Sequence, residues 1–244
     1  QVARGGRVGF LGDKDFMETP FNVTSYTAES IENQQARNMG DVVKNDPSVR
    51  TTWPDGSYVS QFSIRGFPTQ TQDIAINGVY GLVPPQMAAG LESVERVEIL
   101  KGPSALVNGM APSGGVGGNI NLVTKRATDE PITRLTTSYA SDSQLGAHID
   151  LGRRFGDDKE WGIRFNGAYR DGSTGVDDQS QRAGSASLGL DYRGERVRLS
   201  ADVGYNDVNT DAPTRVAYTD NEKFQIPKAP KGTSSLGQPW YFAK

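Results

Sequence analysis

Leu91-Glu-Ser-Val-Glu-Arg-Val-Glu-Ile-Leu-Lys-Gly-Pro-Ser-Ala-Leu-Val-Asn-Gly-Met-Ala-Pro-Ser-Gly-Gly-Val-Gly-Gly-Asn-Ile-Asn-Leu-Val-Thr-Lys-Arg126 reads as a strand, a glycine-rich loop and a second strand. Val97 and Ile99 alternate with Arg96 and Glu98, and Ile120 and Leu122 alternate with Asn119 and Asn121, the period of a half-buried strand. Gly102, Pro103, Gly109, Pro112, Gly114, Gly115, Gly117 and Gly118 break any regular element between them. A short helical turn from Pro103 to Val107 is allowed, because proline suits a first helical position.

A glycine-rich loop between strands invites comparison with a phosphate cradle. The details oppose it: no Gly-Lys-Ser/Thr occurs, and a dinucleotide fingerprint begun at Gly115 would need glycine where Ile120 stands. A nucleotide-binding enzyme is the least favoured of the readings carried forward. Composition narrows the field further. The net charge of −3 offers no basic surface for nucleic acid. With no cysteine, thiolate nucleophiles, thiolate metal sites and disulfides are all excluded. His148 is the only histidine, and no Asp-x-Asp-x-Asp-Gly loop suggests a carboxylate metal site. No apolar run of about 18 residues could form a membrane helix, although β-barrels hide their hydrophobicity in alternation.

In the N-terminal part, Pro20 leads into a strand through Tyr26, and Thr27 caps a helix expected to reach about Arg37. Asn38 caps a second helix with Met39, Val42 and Val43 on one face, ended by Pro47. A turn at Pro54-Asp55-Gly56 precedes a strand with Ser60, Phe62 and Ile64 on one side. Asn77-Gly78, flanked by Ile76 and Val79, is a two-residue hairpin signal. Residues 1–127 are thus expected to form an α+β domain: a small mixed sheet of four or five strands with two short helices.

After Pro131 the texture changes to long alternation. Leu145, Ala147, Ile149 and Leu151 share one face; so do Trp161, Ile163, Phe165, Gly167 and Tyr169; so do Ala186, Leu188, Leu190 and Tyr192; and so do Val197, Leu199, Ala201, Val203 and Tyr205. A weaker strand at 132–141 precedes them, with Leu135, Thr137 and Tyr139 on one side. Runs of about ten residues suit tilted membrane strands. Aromatics near strand ends (Tyr139, Trp161, Tyr169, Tyr192, Tyr205) match interfacial girdles, and the opposite rows carry Arg164, Arg170, Asp191, Arg193, Arg198 and Asp202. A soluble sandwich shares the period of two and is the competing architecture. The connections favour the barrel: 156–160 and 194–195 are tight and fall on one side, whereas 172–183 and 208–239 are long and fall on the other. Five strands and the start of a sixth at Trp240 cannot close around the first domain. Residues 128–244 are therefore expected to be the first strands of an incomplete transmembrane β-barrel, in the N-terminal part of a longer protein. Arginine in place of Ile163 or Leu199 should hinder assembly, and in place of Gly162 or Ser200 should be milder.

The chain resembles a TonB-dependent outer-membrane ferric-siderophore receptor. The resemblance rests on six segments in family order: 18–24, 34–50, Phe62-Ser-Ile-Arg-Gly-Phe67, Ile76-Asn-Gly78, 95–105 and 114–126. It implies a plug domain occluding a barrel of 22 strands in the outer membrane of a Gram-negative bacterium. It implies a monomer spanning that membrane many times and embedded in its lipid, and ferric siderophore bound between plug tips and external loops. It also implies transport driven by TonB pulling at the periplasmic face, on a TonB box that is not evident in 1–13. Such a receptor is not an enzyme and has no cofactor; ferric iron is cargo. Arg65 and Lys101 correspond to family cations that latch plug to barrel-wall glutamates, the lysine lacking the bidentate fork of arginine; an ordinary strand-edge surface cation is the alternative for each. The ligand-facing candidates are Trp53 on one tip, Thr71 and Gln72 on the next, and Pro85, Gln86 and Met87 on the third, with Tyr80 nearby. These tips gather little positive charge, which favours a neutral hydroxamate-type chelate over an anionic tris-catecholate. Haem, cobalamin or glycan as cargo is the alternative.

Overall fold

A computed structural model describes residues 5–7, 13–15, 22–57, 59–84, 90–103, 105–140, 142–215, 231–234 and 242–243. Strands β1 (Gly5–Arg7) and β2 (Asp13–Asp15) pair antiparallel. Then follow β3 (Asn22–Thr27), α1 (Ala28–Asn33), α2 (Met39–Val43), β4 (Val49–Thr51), β5 (Phe62–Ile64), β6 (Phe67–Thr69), a 3-10 turn at Thr71–Asp73, β7 (Ile74–Ile76), β8 (Val94–Lys101), α3 (Ala105–Asn108) and β9 (Gly118–Thr124). The main sheet has the order β3-β8-β9-β7, and β4-β5-β6 form a smaller sheet beside it.

The opening stretch is β8, loop and β9, antiparallel with Ile99 opposite Ile120 and Val97 opposite Leu122. All four are buried, in a core shared with Tyr26, Ile31, Met39, Val42, Val43, Val49, Phe62, Ile64 and Ile74. The helix caps form as the sequence indicates: Thr27 Oγ1 accepts from Ser30 N (3.3 Å) and Asn38 Oδ1 from Asp41 N (3.0 Å). Helix α1 stops earlier than expected. Gln35 adopts φ +50°, and Ala36 N donates back to Ile31 O at 3.0 Å, a left-handed termination that outweighs the helical pattern. The short strands β1, β2, β4 and β6 escaped sequence reading, since three residues are too few to show alternation, whereas β5 falls within the strand expected at Ser60–Ile64. Asn77 and Gly78 do form the left-handed pair of a hairpin turn (φ +51° and +84°), with Ile76 and Val79 bonded to each other. The hairpin goes no further, and β7 instead pairs parallel to β9.

From β10 (Ile132–Ala140) the chain becomes an antiparallel meander: β11 (Gln144–Phe155), β12 (Trp161–Ser173), β13 (Ser180–Arg193), β14 (Arg198–Asp211) and β15 (Phe242–Ala243). The sheet is not closed. Its strands outrun the sequence estimate, so the β12–β13 connection shrinks to 174–179. Trp240, the expected start of the sixth strand, lies outside the described residues. One face carries an aligned row of Phe155, Trp161, Tyr192 and Leu199 near the tight turns, where the Trp161 and Tyr192 rings sit 4.7 Å apart. Higher rows bring Leu151, Phe165, Leu188 and Val203 together. Most of these apolar side chains are exposed, and Asp150, Arg164 and Asn166 on the opposite face are buried against the first domain. A soluble sandwich buries its apolar face; this sheet does the reverse.

Candidate functional site

The expected ligand tips differ in what they offer. Trp53 is half-buried and its indole N–H donates to Gln61 Oε1 (3.1 Å). The tip continues to Gly56, whose carbonyl accepts from Thr214 N (3.0 Å), and it stands level with the β12–β13 connection. Gly56 has φ +72°, and a Cβ there would lie 2.4 Å from Gln179 Oε1, so the left-handed backbone and the close Gln179 side chain both favour glycine. On the second tip, Gln72 is half-buried and its Nε2 donates to Ser113 Oγ (3.0 Å). Thr71 beside it is buried, which corrects its expected place on an exposed ligand-facing surface; it opens a 3-10 turn held by Asp73 accepting from Gln70 N. Tyr80 is half-buried, its hydroxyl accepting from Asn119 Nδ2 (3.0 Å). Pro85, Gln86 and Met87 lie outside the described residues.

Lys101 and Arg65 both depend on a residue that sequence reading passed over. Asp46 is buried, and Lys101 Nζ donates to both of its carboxylate oxygens at 3.0 and 2.9 Å. The same carboxylate accepts from Ser48 N (2.9 Å), Ser48 Oγ (2.6 Å) and Tyr26 Oη (3.1 Å). Burial by itself would raise the Asp46 pKa; the hydrogen bonds from Ser48 and Lys101 more than offset it, leaving the carboxyl below its usual range. Burial, then the Asp46 charge, pushes the Tyr26 phenol up, so Tyr26 remains a donor. Ser48 O in turn accepts from Arg65 N at 2.7 Å. Arg65 is exposed at φ +52°, its guanidinium reaching over Gly102, and among the described residues no carboxylate pairs with it.

The first domain meets the inward face of the strand sheet along an ionic seam. Lys125 (3.2 Å) and Arg164 both pair with Asp150, all three nearly fully buried. Arg126 forms a two-pronged pair with Asp202, and Arg154 joins Asp191 (2.6 Å) to the carbonyl of Ala127 (2.9 Å). The lone His148 sits on this face, its Nε2 accepting from the Asn166 side-chain amide at 3.1 Å. Nearer the β12–β13 connection the seam opens into a pocket of about 350 Å³, lined among others by Arg37, Asp41, Asp55, Glu92 and Arg170. The charged inward row was visible in the alternation; its partners at Lys125 and Arg126 were not, because they follow β9 in a stretch without period.

A domain of this topology, running straight into antiparallel strands with an outward apolar face, has the architecture of a plug and the first wall of its barrel. Residues 15–116 match the family described as TonB-dependent Receptor Plug Domain. The chain belongs with the TonB-dependent receptors. It is 46% identical over 243 residues to the ferrichrome receptor FcuA of Yersinia enterocolitica, covering 99% of this chain and 32% of that protein. It is 26% identical to the ferrichrome outer membrane transporter/phage receptor of Escherichia coli K12, over 69% of this chain and 23% of that one. Its structure superposes on BauA, the ferric preacinetobactin receptor of Acinetobacter baumannii, with a TM-score of 0.94 and 47% identity, covering 98% of this chain and 36% of BauA. The chain thus spans about a third or less of the length of these relatives.

Proposed function

We propose that this chain is the plug, residues 1–127, and the first barrel wall, residues 128–244, of an outer-membrane receptor that takes up a ferric siderophore in a TonB-dependent way. The observation that carries the reading is the inverted sheet: apolar residues outward along β11–β14 and charged residues inward against a plug-type domain. Lipid on one side and a polar lumen on the other account for both faces. The relatives named for ferrichrome and ferric preacinetobactin support a ferric chelate as cargo, and ferrichrome, a hydroxamate, supports the hydroxamate class. Within the plug, Trp53, Gln72 and Tyr80 are the described candidates for touching the chelate, with Pro85, Gln86 and Met87 on the third tip. Of the two candidate latch cations to the barrel wall, Arg65 is the exposed one, while Lys101 is already paired with Asp46. TonB is the expected partner at the periplasmic face.

Titration of the full-length receptor in detergent with a panel of ferric hydroxamates, ferric catecholates, haem and cobalamin tests this reading by quenching of intrinsic fluorescence. Binding of a hydroxamate chelate below roughly micromolar, near −8 kcal/mol, is the expected result. Tight binding of haem or cobalamin with no ferric chelate bound would transfer the receptor to another cargo class.

A further inference from the structure

Asp46 is one of the few buried charged groups in the plug domain, and it does more than neutralise Lys101. Its carboxylate is joined to three separate parts of the domain: Tyr26 on β3, Ser48 ahead of β4, and Lys101 at the end of β8. Through Ser48 its influence passes to a fourth. The Ser48 amide and hydroxyl are both bound by Asp46, which fixes that peptide, and the Ser48 carbonyl receives the Arg65 amide at 2.7 Å. Arg65 needs such support. A non-glycine residue at φ +52° in the tight β5–β6 turn is held by its surroundings, not by its own preference. The guanidinium then extends over Gly102, the residue following Lys101.

We propose that Asp46 is a positioning residue for plug–barrel coupling: one buried carboxylate holds Lys101 directly and, through Ser48, the backbone of Arg65. It thereby presents the exposed Arg65 cation at a fixed place for a carboxylate of the barrel wall. This rests on the latch reading of Arg65. It divides the labour between the two cations. Lys101 is paired inside the plug and acts as structural counter-charge, while Arg65, which has no carboxylate partner among the described residues, makes the outward contact.

Leakage of a bulky hydrophilic antibiotic through the full-length receptor in cells reads plug–barrel coupling; ferric-chelate binding on the same variants reads the integrity of the plug. Arg65→Ala and Asp46→Asn are compared singly and together, with Lys101→Met as a further variant. The expected result is a several-fold rise in leakage for both Arg65→Ala and Asp46→Asn, with the double variant no leakier than Arg65→Ala alone. Chelate affinity should stay within about threefold throughout, and Lys101→Met should leak less than Arg65→Ala. Additive leakage, or loss of chelate binding in Asp46→Asn, would make Asp46 a general structural residue and overturn the proposal. If Arg65→Ala does not leak while chelate still binds, the latch assignment falls and the positioning role falls with it, leaving chelate uptake standing.

Discussion

The plug domain and the strand sheet solve opposite problems with one chain. In the plug, Val97, Ile99, Ile120 and Leu122 are buried and charge lies mostly outside. In the sheet, Leu145, Ile163, Leu190 and Leu199 are exposed, and Asp150 and Arg164 are buried. The first arrangement is stabilised by removal of apolar surface from water. The second makes sense only if the outer face meets hydrocarbon, and it leaves the inner face to be held by paired charges. Buried ion pairs are costly to desolvate and contribute little net stability, but breaking one partner is severe. The plug is therefore expected to tolerate conservative apolar changes and the seam to be intolerant of single charge removals.

The largest effect should come from the seam. Asp150→Leu leaves Lys125 and Arg164 buried without a counter-charge and should cost about 3–5 kcal/mol, read as a drop in the thermal unfolding midpoint of the full receptor in detergent. Next, Ile99→Ala in the plug core should cost about 2–5 kcal/mol, confined to the plug and visible as faster hydrogen exchange in β8 and β9. Arginine at Ile163 or Leu199 should cost about 2–4 kcal/mol in the bilayer, with a milder effect at Ser200, as measured by assembly into vesicles. Gly162, expected from alternation to be as mild a site as Ser200, is instead part of the seam. A Cβ there would lie 2.3 Å from Asp191 Oδ1 and 2.6 Å from an Arg154 nitrogen, so any side chain disturbs the seam. The smallest effect should be at the exposed Arg134–Glu32 pair, where Glu32→Gln should cost below about 1 kcal/mol.

Acid should weaken the plug. Because the Asp46 pKa is lowered in the fold, its contribution is fully present above the unfolded carboxylate range and is lost as pH falls through the depressed folded value. Plug stability in the full receptor should therefore fall on acidification below the ordinary carboxylate range, and Asp46→Asn should flatten that limb of the curve. Unchanged acid sensitivity in the variant would remove Asp46 from the account.

The strand sheet was easier to read than the plug, for a physical reason. A lipid-facing strand repeats every second residue for ten or more positions, so Trp161–Tyr169 and Ala186–Tyr192 declare themselves. The plug strands β4, β5 and β6 are three residues each, and their placement is set by contacts distant in sequence, such as Arg65 N on Ser48 O. The same reason hid Asp46. It sits between Asn45 and Pro47 in an ordinary turn, and nothing nearby announces that Lys101 will reach it. Glycine gave partial warning. Gly117 and Gly118 stood out in the sequence as breakers, yet a Cβ on either would meet the carbonyl oxygens of Ile64 or Leu100 at 2.5 Å or less.

The central claim is that β11–β14 face lipid with one side and the plug with the other. Residues 1–244 contain no cysteine, so once any cysteine elsewhere in the receptor is replaced by serine the claim is directly measurable. Single cysteines placed in turn at 187–191 and 199–203 of the full-length receptor, labelled with a fluorophore and reconstituted in vesicles, can be challenged with a lipid-dissolved quencher. Strong quenching at 188, 190, 199, 201 and 203, with weak quenching at 187, 189, 191, 200 and 202, is the predicted result. Equal quenching along both rows, or quenching at neither, would contradict it.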